Sequence, residues 1–117
     1  MKLVIFGSRD FDDYCTLVEW MYALTHTYAL DIDEIVCGMA RGADLLGARW
    51  ARANGVPIKE FPADWDTYGK SAGYRRNAEM AKYATHALGF WDGESRGTKH
   101  MIELCHRENL KLWVVQF

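Results

Sequence analysis

Four short stretches of this sequence collect the residue types that hold phosphate and sugar groups. The first is Gly7-Ser8-Arg9-Asp10. Glycine lets a backbone approach a ligand closely, serine donates a hydrogen bond, and arginine grips a phosphate with two parallel bonds. The same residues also suit a tight turn with a solvated arginine. The second runs from Cys37 to Asp44. Gly38 and Gly42 bracket Met39, Ala40 and Arg41 and lead through Ala43 into a helix, whose free N–H groups make an anion site. Asp44 lies too far into the first turn to be a simple N-cap. It can accept bonds from ribose hydroxyls or merely favour the helix dipole.

The third stretch is Phe61-Pro62-Ala63-Asp64-Trp65 and the loop through Gly73, leading into Arg75-Arg76-Asn77. A loop aromatic beside two arginines suits a flat base and its phosphate, although Trp65 and Tyr68 can equally pack the loop onto the body of the protein. The fourth is Trp91-Asp92-Gly93-Glu94-Ser95-Arg96-Gly97-Thr98. A strand, a glycine turn and a Gly-Thr pair opening a helix have the form of a phosphate cradle. Thr98 is expected both to cap that helix and to touch a phosphate oxygen.

These stretches gain meaning from the elements that position them. Apolar runs closed by glycine mark buried strands at Lys2–Phe6 and Glu34–Cys37. Further strands are predicted at Pro57–Phe61, Ala87–Trp91 and Leu112–Val115. Between them lie four helices. The first is capped by Asp12 or Asp13 and carries Leu17, Met21, Leu24 and Tyr28 at helical spacing. The second carries Ala43, Leu46, Trp50 and Ala53 and is stopped by Asn54-Gly55. The third spans about Tyr74–Tyr83, with Ala78, Ala81 and Ala84 suited to close packing. The fourth spans about Gly97–Glu108 and is ended by Asn109. Strands alternating with helices predict an α/β, Rossmann-like three-layer fold with a mainly parallel five-stranded sheet, formed as one domain over residues 1–117. In such a sheet the strand-to-helix loops share one edge, and ligands bind there. All four chemical stretches are such loops.

Composition narrows the function. A net charge of −2 provides no basic footprint for DNA or RNA. Cys15, Cys37 and Cys105 are widely spaced without a Cys-x-x-Cys pair and read as buried thiols. His26, His86, His100 and His106 show no ligand pairing, so neither metal nor cofactor is expected. No Gly-x-Gly-x-x-Gly follows the first strand, and no Walker lysine is present. No signal peptide or membrane run is visible, which makes a cytoplasmic location the expectation. Trp20 and Trp50 are read as core or subunit-contact residues.

Taken together, Gly7-Ser8-Arg9, Cys37-Gly38-x-Ala40-x-Gly42-Ala43-Asp44, Phe61-Pro62-Ala63-Asp64-Trp65, Arg76-Asn77-x-x-Met80 and Trp91-Asp92-Gly93-x-Ser95-x-Gly97-Thr98 resemble the YspA-like (YAcAr) group of the SLOG superfamily. That superfamily also holds the DprA DNA-processing proteins and the LOG phosphoribohydrolases, and its members occur in bacteria and their phages. The resemblance implies a site for a nucleotide-derived small molecule such as ADP-ribose or cyclic ADP-ribose, and a homo-oligomer, a dimer or larger. It also marks a departure. The hydrolases carry Pro-Gly-Gly-x-Gly-Thr-x-x-Glu with a catalytic glutamate, and that position here is Met101. Glu103 lies roughly 200° further around the helix and cannot replace it. The leading expectation is therefore binding without turnover, as a sensor or a phage-type sequestering protein. The alternative is hydrolysis of nucleoside monophosphates with Asp44, Asp64 or Asp92 as the acid–base group.

Overall fold

The computed structural model describes residues Met1–Phe117. Five strands, β1 (Lys2–Gly7), β2 (Glu34–Cys37), β3 (Ile58–Glu60), β4 (His86–Trp91) and β5 (Lys111–Gln116), form one sheet in the order β3-β2-β1-β4-β5. Every pairing is parallel. The helices are α1 (Tyr14–Tyr22), α2 (Ala43–Ala53), α3 (Trp65–Tyr68), α4 (Ala72–Tyr83) and α5 (Arg96–Arg107). This is the expected α/β, Rossmann-like architecture, with a sheet that is wholly rather than mainly parallel.

Alternation along the central strands builds two cores. Leu3, Ile5, Ile35, Leu88 and Phe90 turn toward α1 and α2, where Leu17, Met21, Trp50 and Ala51 meet them. Val4, Phe6, Val36 and Ala87 turn the other way, onto Met80 and Ala81 of α4 and Met101, Leu104 and Cys105 of α5. Burying a large apolar side chain in this way contributes about 1.5–3 kcal/mol. The Phe6 ring lies so close over β4 that a Cβ at Gly89 would come within 2.5 Å of it, so glycine is required there. The chain passes from β1 outward to β2 and β3, then returns to β4 on the opposite side of β1. Between β1 and β4 the sheet order reverses, the point at which sheets of this kind bind ligands.

Local signals account for most element ends. Asp13 caps α1 by accepting from the Thr16 amide at 3.1 Å. Gly55 (φ 66°) and Asn109 (φ 58°) take the left-handed conformation just beyond α2 and α5.

Several expectations need correction. Tyr28 does not join the buried stripe of α1, because the helix runs on into a π turn at Ala23–Thr27. The wider turn shifts the phase of the stripe and leaves Tyr28 exposed. Ala53 is exposed as well, because the buried face of α2 runs through Ala43, Gly47, Ala48, Trp50 and Ala51. The segment from Pro62 to Gly73 is not irregular. Asp64 caps α3 through the Thr67 amide at 3.2 Å, a 3-10 turn follows at Gly69–Ser71, and α4 begins at Ala72 rather than Tyr74. Cys37 and Cys105 are buried, which pushes their thiols up to about 11 and about 12, but Cys15 is exposed on the outer side of α1.

Candidate functional site

The loop after β1 is fixed before it reaches any ligand. The Ser8 amide donates to the Phe90 carbonyl at 2.9 Å, and the Ser8 hydroxyl accepts from the Asp92 amide at 3.2 Å. Ser8 is thus a buried tie between the loops leaving β1 and β4. Phe11 stacks on Phe90 with ring centroids 4.2 Å apart and holds the far end of the loop down. Gly7 leaves room for Ala43, whose Cβ would stand 2.8 Å from any side chain placed there. Arg9, at the tip, is exposed and lines a pocket.

The loop after β2 crosses over the first. A Cβ at Gly42 would come within 2.5 Å of the Ser8 carbonyl, and Gly42 holds φ 93°, so two separate reasons demand glycine. Asp44 follows in the first turn of α2 and is only 5 % exposed. Burial pushes its carboxyl up to about 7. The Arg76 guanidinium and the backbone N–H groups of Ala40 and Gly38 oppose that rise without cancelling it. Gly38 makes the space for this pair: a Cβ there would lie 2.6 Å from Asp44 Oδ2 and 3.1 Å from Arg76 Nη1. Arg76 donates through Nη1 to the Gly38 carbonyl and through Nε to Asn77 Oδ1 at 2.9 Å. Burial lowers the pKa of this guanidinium, and Asp44 acts against that shift.

The loop after β4 leads into the first turn of α5. Asp92 accepts from the amides of Glu94 (2.9 Å) and Ser95 (2.8 Å), and these bonds hold its carboxyl below the usual carboxylate range. Gly93 turns the chain at φ 86°. The cap of α5 is Ser95 and not Thr98: Ser95 Oγ accepts from the Thr98 amide at 3.3 Å and lies 2.9 Å from the Thr98 hydroxyl. Thr98 is the third residue of the helix, within its first turn, buried, with its amide already bonded. That leaves the first N–H groups of the turn, at Arg96 and Gly97, as the ones without partners in the helix ladder.

These pieces surround a pocket. Arg9, Asp44, Arg76 and Asn77 line one part of it, and Ser95, Gly97, Thr98 and Met101 line another, above Phe6 and Gly7. Arg9 and Arg76 are shared with a neighbouring lobe that contains Gly38, Arg41 and Trp65. They are shared again with a lobe between Trp65, Lys70, Tyr74 and Gly97. Three concavities therefore converge on two arginines. Trp65, 52 % exposed, forms a wall common to two of them. Tyr68 does not pack onto the sheet; it is exposed beneath the Arg75 guanidinium, 4.3 Å from its ring centroid.

Of the residues singled out from sequence, Gly7, Arg9, Asp44, Arg76, Asn77, Ser95, Gly97 and Thr98 meet in the first pocket, and Gly38, Arg41 and Trp65 in the second. Ser8, Ala43, Asp92 and Gly93 build the frame, Gly42 borders a separate groove beside Arg9 and Asp10, and Asp64 is occupied as a helix cap. The lining residues Phe6, Met39, Lys70 and Tyr74 were not expected at the site, Ala40 was read only as part of the motif, and Met101 only as the replacement for a catalytic glutamate. Met101 reaches the pocket because it lies three residues after Thr98 and so on the same helix face. No cluster of three or more His, Cys, Asp or Glu side chains is arranged to hold a metal ion, and no helix is long and apolar enough to cross a membrane.

Comparison with known proteins agrees with this geometry. The gene 61 protein of Mycobacterium phage D29 is 36 % identical over 116 residues, covering 94 % of this chain and 89 % of the phage protein. No solved structure matches the chain. The YspA, cpYpsA-related SLOG family matches residues 1–68, which carry β1, β2, β3 and the glycine loops that cross beside Asp44. With that match and the full-length similarity to the phage protein, the chain belongs to the YspA, cpYpsA-related SLOG family.

Proposed function

We propose that residues 1–117 act as one binding domain for a nucleotide-derived small molecule, of the ADP-ribose or cyclic ADP-ribose kind, held without turnover. The observation that carries this reading is the convergence of Arg9, Arg76 and the first turn of α5 on one pocket, with an exposed tryptophan on the adjoining wall. Two guanidinium groups and a helix N-terminus suit phosphate, and Trp65 suits a base. The similarity to a phage protein fits either a sequestering role or a sensor role.

Uniform binding of this kind provides affinity but no rate. The position from which the similar hydrolases move a proton is Met101, and a thioether cannot do so. One observation favours hydrolysis as a second reading. Asp64 and Asp92 are engaged as loop and cap acceptors, whereas Asp44 lines the pocket with its carboxyl raised to about 7, the range suited to general acid–base work.

The test is calorimetric titration with ADP-ribose of the parent, Arg9→Ala and Arg76→Ala, followed by chromatography of overnight incubations with nucleoside monophosphates and ADP-ribose. Each truncation is expected to remove about 2 kcal/mol, roughly thirtyfold in affinity. The nucleotides are expected back intact. Unchanged binding by both variants places the site elsewhere, and release of free base that disappears in Asp44→Asn selects the hydrolase.

A further inference from the structure

Asp44 is the one charged group whose presence the pocket leaves unexplained. It is almost wholly buried, and the backbone N–H groups of Ala40 and Gly38 act on it while no side chain donates a hydrogen bond to it. No cationic nitrogen pairs with it within 4.0 Å; the only ion pair in the protein joins the Met1 amino group to Asp33. Arg76, whose charge acts on it most, spends two nitrogens on the Gly38 carbonyl and Asn77.

Few other groups face it. Arg76 does so from α4, and Arg9 shares the pocket from the loop after β1. Cys37, on β2, keeps its proton because its thiol is pushed up to about 11. From α5 come Ser95, Thr98 and Met101, none of which carries charge. An ionised Asp44 would therefore share a small polar pocket with the very anion that the α5 turn and the arginines attract. A like charge this close disfavours the ionised carboxyl and raises its proton affinity further.

We propose that Asp44 enters the ligand complex as the neutral acid and donates a hydrogen bond to the bound anion, so that ligand and proton bind together. This rests on the anion-binding reading of the pocket and adds to it a donor that selects for an acceptor oxygen at the pocket floor. It also runs opposite to a ribose-acceptor role, in which Asp44 would stay ionised and binding would take up no proton.

The sign follows from linkage. Free Asp44 titrates at about 7. Below that it is already neutral and affinity is level with pH. Above it each binding event must first protonate the group, so the dissociation constant rises about tenfold per pH unit until the midpoint in the complex is reached.

The experiment uses inorganic sulfate, whose charge does not change near neutrality, and follows the amide resonances of Gly97 and Thr98 by NMR. Between about pH 6 and about pH 8.5 the dissociation constant of the parent is expected to rise by at least tenfold. In Asp44→Asn it is expected to stay level. The Asp44 carboxyl carbon resonance provides a second measurement on the unmodified protein, and its titration midpoint is expected to move upward when sulfate is present. A level dissociation constant in the parent, or a midpoint that stays or falls, overturns the proposal while leaving the anion site intact. Absence of any sulfate-dependent shift at Gly97 and Thr98 at every pH removes the anion site and the proposal with it.

Discussion

Replacing Asp44 by asparagine should stabilise the protein, and the gain should grow with pH. Asn keeps the shape of the side chain and removes the charge whose burial is opposed. The carboxyl ordinarily titrates at 3.8 and in the fold at about 7, so the folded state holds this proton more tightly than the unfolded chain does. The stability that goes with the raised pKa is fully present below 3.8 and is lost as pH rises through 7. Between these values the folded protein loses about 1.4 kcal/mol per pH unit relative to a variant that cannot ionise.

From about pH 5 to about pH 8 the accumulated difference is roughly 3 kcal/mol. Urea unfolding of the parent and Asp44→Asn at several pH values measures it. What matters is the change in the difference between the two proteins, because any hydrogen bond that Asn makes or loses shifts every pH equally. A difference that stays flat across this range would show that Asp44 is solvated or paired in solution, and the argument from its burial would fail. A difference that shrinks with rising pH would mean that Arg76 holds the carboxylate ionised.

Two further outcomes are expected. Gly38→Ala places a Cβ 2.6 Å from Asp44 Oδ2 and 3.1 Å from Arg76 Nη1, so it should cost about 1–3 kcal/mol of stability in urea unfolding and weaken ADP-ribose binding as both side chains are displaced. Exposed Val18 and Tyr22 on α1 and Leu45 on α2 suit contact between copies, so light scattering at tens of micromolar should report a dimer or larger; a monomer mass would refute this.

The fold was largely legible because this sheet announces itself. A strand buried on both faces reads as an unbroken apolar run, and Leu3–Phe6 ends at a glycine as the chain must turn away. Phase was harder to read. Tyr28 continues the i, i+4 pattern of α1 on paper, but a π turn is invisible to a counting rule with a fixed period. Short elements were hidden as well: α3 is four residues long and held by one cap, too brief for periodicity to show. At the site, the sequence indicated which loops converge but not how their side chains are spent. Asp92 and Asp44 were both read as alternative acid–base groups. One is consumed by two backbone amides and the other is left facing the pocket, a difference set by loop geometry that residue type does not encode.

That difference also bears on what the pocket does with a bound nucleotide. Met101 reaches the pocket from α5, in the helical layer packed on Val4, Phe6 and Val36, and in the motif alignment it takes the position of the hydrolases' glutamate. Asp44 reaches the same pocket from α2, in the layer on the opposite face of the sheet. A carboxyl arriving from that direction would meet a different side of a ligand whose phosphate rested on the α5 turn. Asp44 therefore does not restore the hydrolase arrangement with a shifted residue. If Asp44 is a neutral acid beside a bound anion, as proposed, it helps to hold the ligand equally before and after any bond is broken, and such a contribution favours retention over turnover.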